Sequence, residues 1–129
     1  EVVLSEDKEA KAFLICVNED VVGTIRYRII NNEYKIERFA ILKEFRGKGY
    51  GKAACDFLVD MIGAEHNPCT VTLNAQIQVK ELYAKCGFTP VGEEFIEAGI
   101  RHIKMIKRYW YQLYYILYKA RFYSSFFVA

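Results

Sequence analysis

The alternation of apolar and polar positions organises the first third of the chain. Residues 12–17 (AFLICV) and 21–30 (VVGTIRYRII) are rich in β-branched and aromatic side chains, and Asn18, Glu19 and Asp20 separate them as a polar turn. In the second run Val22, Thr24, Arg26 and Arg28 share one phase, while Val21, Ile25, Tyr27 and Ile29 fall mostly on the other. Successive strand side chains point to opposite faces, so the two runs predict an antiparallel hairpin. Asn31-Asn32-Glu33 makes the next turn and residues 34–42 (YKIERFAIL) a third strand, completing a meander. The period changes after residue 46. Within 50–62 (YGKAACDFLVDMI), Ala54, Phe57, Leu58, Met61 and Ile62 recur at helical spacing, and Gly63 with Asn67-Pro68 predicts the helix end and a loop. Residues 69–74 (CTVTLN) predict a short strand, and 76–86 (QIQVKELYAKC) a second helix capped by Gly87. Two more strands are expected around 88–92 and 101–107, with Gly92 and Gly99 bracketing the loop between them. The order βββ-α-β-α-β-β is an α+β domain with a mixed sheet.

Composition narrows the class. A chain of 129 residues holds one domain with a real core, and 53% hydrophobic against 26% charged residues is a globular balance. The formal net charge of +2 calls for neither nucleic acid nor an anionic membrane, so anion specificity has to be local. Outside one Gly-rich loop there is no basic patch, and nucleic acid is not an expected partner. Cys16, Cys55, Cys69 and Cys86 form no CxxC pair, and neither His66 nor His102 completes a zinc spacing, so no metal is expected. So much apolar content argues against a disulfide framework; reduced thiols and a cytoplasmic location follow as expectations. The sequence does not open with Met, and no charged start precedes an apolar run, so no secretory signal is expected.

Residues 108–129 differ from the rest and read as an aromatic-rich C-terminal extension to a domain of residues 1–107. The uncharged run 109–118 is too short to cross a bilayer, and the segment carries few cations for membrane contact. Such an apolar stretch is expected to pack on the domain or on a second copy, which makes it a candidate homodimer interface.

The sharpest chemical feature is Arg46-Gly47-Lys48-Gly49-Tyr50-Gly51, after a strand and at the start of a helix. Glycines at this spacing let backbone N–H groups approach a ligand, and a helix N-terminus adds about half a positive charge. Arg46, Lys48 and Lys52 add full charges, so the loop suits a pyrophosphate. It lacks the four-residue glycine spacing and GK[ST] ending of a Walker loop, and it does not open a first strand–helix unit as a Rossmann site does.

The segment IERFAILKEFRGKGYGKAACDFLVDMI resembles the core of the GNAT N-acetyltransferase superfamily, in which a strand is followed by [QR]xxGx[GA] and a helix. Further on, VTLNAQIQVKELYAKCGFTPVGEEF resembles that superfamily's next strand and helix, ending in its "lYxkxGF" element. The LNAQ and EEFIEAGIRHIKM stretches are similar to small, mostly uncharacterised bacterial-type acetyltransferases. The match covers about residues 12–107, with three elements in the right order. It implies a mixed, mostly antiparallel sheet flanked by helices. The family's opening strand and helices, which build much of the acceptor pocket, are expected to be short, missing or truncated here, where residues 1–11 (EVVLSEDKEAK) precede the hairpin.

The resemblance implies roles. Backbone groups of Phe39, Ala40 and Ile41 would pair with the pantetheine arm of acetyl-CoA and polarise the thioester carbonyl; Phe39 and Ile41 read equally well as core. Arg46, Gly47, Lys48, Gly49, Tyr50, Gly51 and Lys52 would hold the pyrophosphate. Asn74 would contact the cofactor or a positioning water, or simply end a strand. Tyr83 falls where many of these enzymes protonate the departing thiolate, although a helix-face core tyrosine is the alternative. Glu37 matches an acidic residue fitted to serve as general base, or it pairs with Arg26, Arg28 or Arg38 across the sheet; His102 is the other titratable candidate.

The implied activity is acetyl-CoA-dependent N-acetylation of a primary amine on a small metabolite, by direct transfer in a ternary complex. Cys55 and Cys86 lie among apolar neighbours, unsuited to an acyl-enzyme. The motif region, including the acid at Glu37, is similar to glucosamine-6-phosphate N-acetyltransferases, and Arg26, Arg28, Arg38 or Arg101 would serve a sugar phosphate. A protein lysine or N-terminal acetyltransferase and a non-catalytic CoA-binding subunit are the alternatives.

Overall fold

Seven strands form one sheet in the order β1-β2-β3-β4-β5-β7-β6 in the computed structural model, which describes residues 3–4 and 10–110. The meander is β2 (Ala10–Val17), β3 (Asp20–Ile30) and β4 (Glu33–Ile41), with a two-residue β1 (Val3–Leu4) on its outer edge. Between β1 and the start of β2, residues 5–9 lie outside the described residues, and no helix precedes β2 among those described.

Every neighbouring pair is antiparallel except β4 and β5 (Cys69–Gln76). A parallel pair needs a crossover, and α1 (Tyr50–His66) supplies it. Cys55, Leu58, Val59 and Ile62 recur at i, i+3, i+4 and i+7, and this stripe packs on Phe13, Ile25, Ile36, Val71 and Met105 from the sheet. The stripe sits one residue away from the expected one: Phe57 is 59% exposed, while Cys55 and Val59 are fully buried. One residue is about 100° of helix, so Phe57 cannot share a face centred between Leu58 and Ile62.

Gly63 does not end the helix. It is buried inside α1, where a Cβ would stand 2.5 Å from the ring of Tyr109. Its role is close approach; the stop comes at Asn67, which the following Pro68 pushes to an extended conformation (φ −67°, ψ 130°). The second helix also differs from expectation. Gln76 is still strand, a 3-10 turn follows at Ile77–Val79, and α2 spans only Lys80–Lys85. Gly87 (φ 94°) closes it as expected, with Gly87 N–H donating to Ala84 O and Phe88 N–H to Tyr83 O, both at 3.0 Å.

The last hairpin, β6 (Thr89–Glu97) and β7 (Ile100–Tyr109), is longer than the sequence predicts. Only Ala98 and Gly99 turn, both at positive φ, while Gly92 (φ 78°) sits in a bulge between Val91 and Phe95. Strand β7 takes in Arg108 and Tyr109, so those two residues are sheet; the rest of the proposed dimer segment, from 111 on, lies outside the described residues. Among the described residues, no helix is long and apolar enough to cross a membrane.

One sheet face is the core under α1. Residues directly opposite in the register share a face, so the other face gathers Arg26 and Glu37, Asn74 and Lys104, and Gln76 and His102.

Candidate functional site

The site begins where β4 leaves β5. These strands pair only at Tyr34–Val71 and Lys35–Thr72, and beyond that they part around a cleft of about 730 Å³. The cause lies in β4 itself. Thr24 faces Ala40 but Arg26 faces Glu37, so Ile25 alone spans Arg38 and Phe39: a bulge, with Arg38 at φ 51°. A bulge bends and twists its strand, here away from β5. It also changes the alternation, so that Ile36 and Phe39, three apart, both pack toward the core.

The bulge decides which amides are free. Leu42 N–H donates to Val22 O at 2.7 Å. By antiparallel alternation, Ala40 is likewise turned to β3, whereas Phe39 and Ile41 present their N–H and C=O groups to the cleft. Of the three expected contact residues, Phe39 and the N–H of Ile41 therefore face the cleft, the Ile41 carbonyl accepts from Arg46, and Ala40 is occupied within the sheet.

Arg46, at the head of the Gly-rich loop, folds back so that its Nε donates to Ile41 O at 2.8 Å, tying the loop to the end of β4. Gly47 (φ 75°) and Gly49 (φ 86°) hold left-handed conformations that other residues adopt at a cost of about 1 kcal/mol or more, with open space where each Cβ would be. Gly49 is the N-cap of α1. No side chain caps this end, no acid lies in the first turn, and the leading N–H groups are left for a ligand. Lys48 reaches over the Phe45 ring, 5.7 Å from its centroid. Lys52 turns along the helix instead, its Nζ donating to Asp56 Oδ2 at 2.7 Å; this bond raises the lysine pKa and lowers that of the aspartate. Tyr50 and Gly51 line the cleft at the helix start.

Tyr83 of α2 closes the inner wall, edge-on to Phe39 and to Phe88 with ring centroids 6.3 Å apart in each case. Burial, with smaller contributions from Cys55 and Cys86, pushes its phenol up to about 12, so it stays protonated throughout the neutral range. Burial also raises the thiols of Cys55 and Cys86, keeping both as neutral S–H groups.

Glu37 lines the opposite wall, and its carboxylate is the centre of a charge cluster. Arg26 Nη2 donates to its Oε1, and Arg28 Nε stands 2.8 Å from the same oxygen. Arg38 lines the cleft too, without an ion-pair partner among the described residues, and Arg101 is turned away onto Glu94 at 2.9 Å. Asn74 also lines the cleft and donates from Nδ2 to Glu97 Oε2 at 3.3 Å.

Sheet pairing adds Gln76, which sequence reasoning did not single out, and sets it opposite His102, the other titratable candidate, on β5 and β7. Gln76 follows Asn74 at the strand period, a signal that the assignment of 76–86 to a helix hid. His102 is 7% exposed, stacks on Phe95 with centroids 5.8 Å apart, and lies with Nδ1 2.7 Å from Ile100 O. Among the described residues, no cluster of three or more His, Cys, Asp or Glu side chains is placed to hold a metal.

The geometry has counterparts. The acetyltransferase (GNAT) domain model matches residues 2–109. A Bacillus subtilis protein named as a candidate acetyltransferase is 39% identical over 87 residues, 67% of this chain and 58% of that protein, so the chain spans less than two thirds of that relative. The crystal structure of Escherichia coli ElaA matches with a TM-score of 0.69 at 24% identity, over 77% of this chain and 68% of that one. Spermidine N-acetyltransferase from Vibrio cholerae, solved with CoA and spermine, matches at 0.67 and 20% identity, over 81% of this chain and 68% of that one. At these identities the two structures speak for the fold.

Proposed function

The chain belongs to the acetyltransferase (GNAT) domain family, and on that premise we propose that it moves the acetyl group of acetyl-CoA to a primary amine of a small molecule by direct transfer. The observation that carries this reading is the parting of β4 from β5 beside an uncapped helix N-terminus entered through two positive-φ glycines. An amide-bearing arm laid along β4 is a strand addition to the N–H and C=O groups of Phe39 and the N–H of Ile41, whose carbonyl is held by Arg46. A pyrophosphate then falls to the loop from Gly47 to Lys52, with Arg46 and Lys48 adding charge and Tyr50 and Gly51 supplying helix-start N–H groups. Lys52, paired with Asp56, adds less. Asn74, fixed by Glu97, faces the same cleft as a contact to the cofactor or a bound water.

At the acetyl end, the amine nitrogen attacks the thioester carbon while β4 N–H groups steady the developing oxyanion. As the carbon–sulfur bond breaks, the thiolate takes its proton from the Tyr83 hydroxyl. Buried, neutral Cys55 and Cys86 are poor nucleophiles, which favours direct transfer over an acyl-enzyme. Glu37, anchored by two guanidinium groups, presents negative charge to the acceptor's ammonium.

An amino sugar phosphate such as glucosamine 6-phosphate is the finer proposal. With Arg26 and Arg28 on Glu37 and Arg101 on Glu94, its phosphate would have to be met by Arg38. A polyamine, the ligand of the Vibrio neighbour, would be drawn to Glu37 instead. The test is CoA thiol release from acetyl-CoA with glucosamine 6-phosphate, spermidine, amino acids, aminoglycosides and a lysine peptide. Turnover on one amine above the hydrolysis background is expected. A flat panel, repeated with an N-terminally extended chain, would replace this reading by a cofactor-binding subunit.

A further inference from the structure

We propose that His102 is the general base that deprotonates the acceptor ammonium. The inference rests on the acetyl-transfer reading above and adds to it the residue that receives the proton. An ammonium has no lone pair, so one proton must leave before the nitrogen attacks.

The structure fixes the tautomer of His102. The Ile100 carbonyl can only accept, so the ring nitrogen 2.7 Å away, Nδ1, carries the hydrogen, and in the neutral ring Nε2 holds the lone pair. Nε2 has no hydrogen-bond partner among the described residues and is not one of their fully buried unpartnered atoms, and His102 is one of the residues that line the cleft. Phe95 stacks on the ring and Gln76 stands opposite on β5, so its orientation is set by packing.

Of the charges around it, Arg38 lines the same cleft without an ion-pair partner among the described residues, and the others are paired among themselves. On β7, Arg101 is on Glu94 and Lys104 stands 3.6 Å from Glu33; on β5, Asn74 holds Glu97; across the cleft, Glu37 is taken by Arg26 and Arg28, and Tyr83 is a neutral phenol. Among the described residues, no carboxylate bonds to the imidazole. Glu37, by contrast, meets two guanidinium groups at one oxygen, an arrangement suited to holding charge in place.

The step balances. Nε2 takes one proton from R–NH3+ and later returns it to solvent. The freed nitrogen pair forms the N–C bond, and the tetrahedral intermediate collapses with loss of the C–S bond. The thiolate takes the Tyr83 proton, and the resulting phenolate recovers one from the acetylated nitrogen. Net products are the amide, the CoA thiol and one proton.

The experiment compares wild type with His102→Asn and His102→Ala on two acceptors: the most active alkylamine of the panel, and hydroxylamine, which is largely unprotonated at neutral pH and needs no base. Asn can still donate to Ile100 O but has no basic nitrogen, so a structural role would be restored and a catalytic one would not. For H102N, alkylamine kcat/KM should fall about 100-fold or more. Its hydroxylamine turnover and KM for acetyl-CoA should stay within a few-fold, and the acid limb of the pH–rate profile should disappear. Added imidazole should restore part of the H102A activity. Full alkylamine turnover in H102N, or an equal loss on both acceptors with retained CoA affinity, overturns the base assignment alone. A wild type inactive on every amine overturns the acetyl-transfer reading and this inference with it.

Discussion

Tyr83 is defined by a single environmental fact, the burial of its phenol against Phe39 and Phe88 beside two protonated thiols. Burial disfavours the phenolate and raises the pKa to about 12, so the hydroxyl is a standing proton donor at every pH the fold meets in practice. Tyr83→Phe keeps the ring contacts and removes the proton. Its kcat should drop by about 10- to 100-fold with the KM for acetyl-CoA nearly unchanged, since the lost contact is made in the transition state. An unchanged kcat in steady-state assays would remove Tyr83 from the chemistry. The sign of the shift bears on stability as well. An unfolded tyrosine ionises near its ordinary value of 10.0 while the buried one does not, so the contribution of Tyr83 is whole below that pH and fades as pH rises toward 12. Chemical denaturation between pH 9 and 11 should therefore show a stability decline that is smaller in Tyr83→Phe.

The elements sort by what the sequence could reveal. Strands of the meander were legible because alternation is local, and the loop before α1 because glycine spacing is local. Register was not. The bulge that frees the Phe39 and Ile41 amides rests on Arg38, a residue type with no signature for positive φ. The clamp of Arg26 and Arg28 on Glu37 was foreseen only as one alternative among several, because the choice depends on the β3–β4 pairing. Gln76 and His102 meet through β5–β7 pairing, which no window of sequence spans. Gly63 was misread for a related reason: a glycine near a helix end signals a stop, and only the tertiary contact with Tyr109 reveals close approach. That contact carries a prediction. In Gly63→Ala the new methyl would have to displace the Tyr109 ring and strain its 3.1 Å hydrogen bond to Asp60, so the urea midpoint should fall by the equivalent of about 1–3 kcal/mol despite alanine's better helix propensity. A smaller residue in place of Tyr109 should recover part of that loss in the double mutant. Equal or higher stability in Gly63→Ala alone would show that the ring yields freely.

At the scale of the whole molecule, the charge balance bears on the proposal that anion binding is confined to one loop. A net charge of +2 gives little long-range attraction, so on the proposed reading a phosphate-bearing ligand would be drawn by Arg46, Lys48 and the start of α1. Lys52 is tied to Asp56, and the remaining Lys or Arg of the cleft lining is Arg38, at the β4 bulge. Two of these contributions differ in kind. The helix N–H groups act by short, directed hydrogen bonds that salt weakens little, whereas the exposed Arg46 and Lys48 side chains act across solvent and are screened over roughly 8–10 Å at physiological ionic strength. Replacing both by alanine should raise the CoA Kd by about 10-fold at low salt and flatten its dependence on sodium chloride, while the residual affinity persists. Calorimetric titrations from 20 to 500 mM salt read this directly. A double mutant that kept the wild-type salt slope would move the phosphate contacts to other cations, Arg38 first among them, and with them the direction in which the cofactor lies along β4.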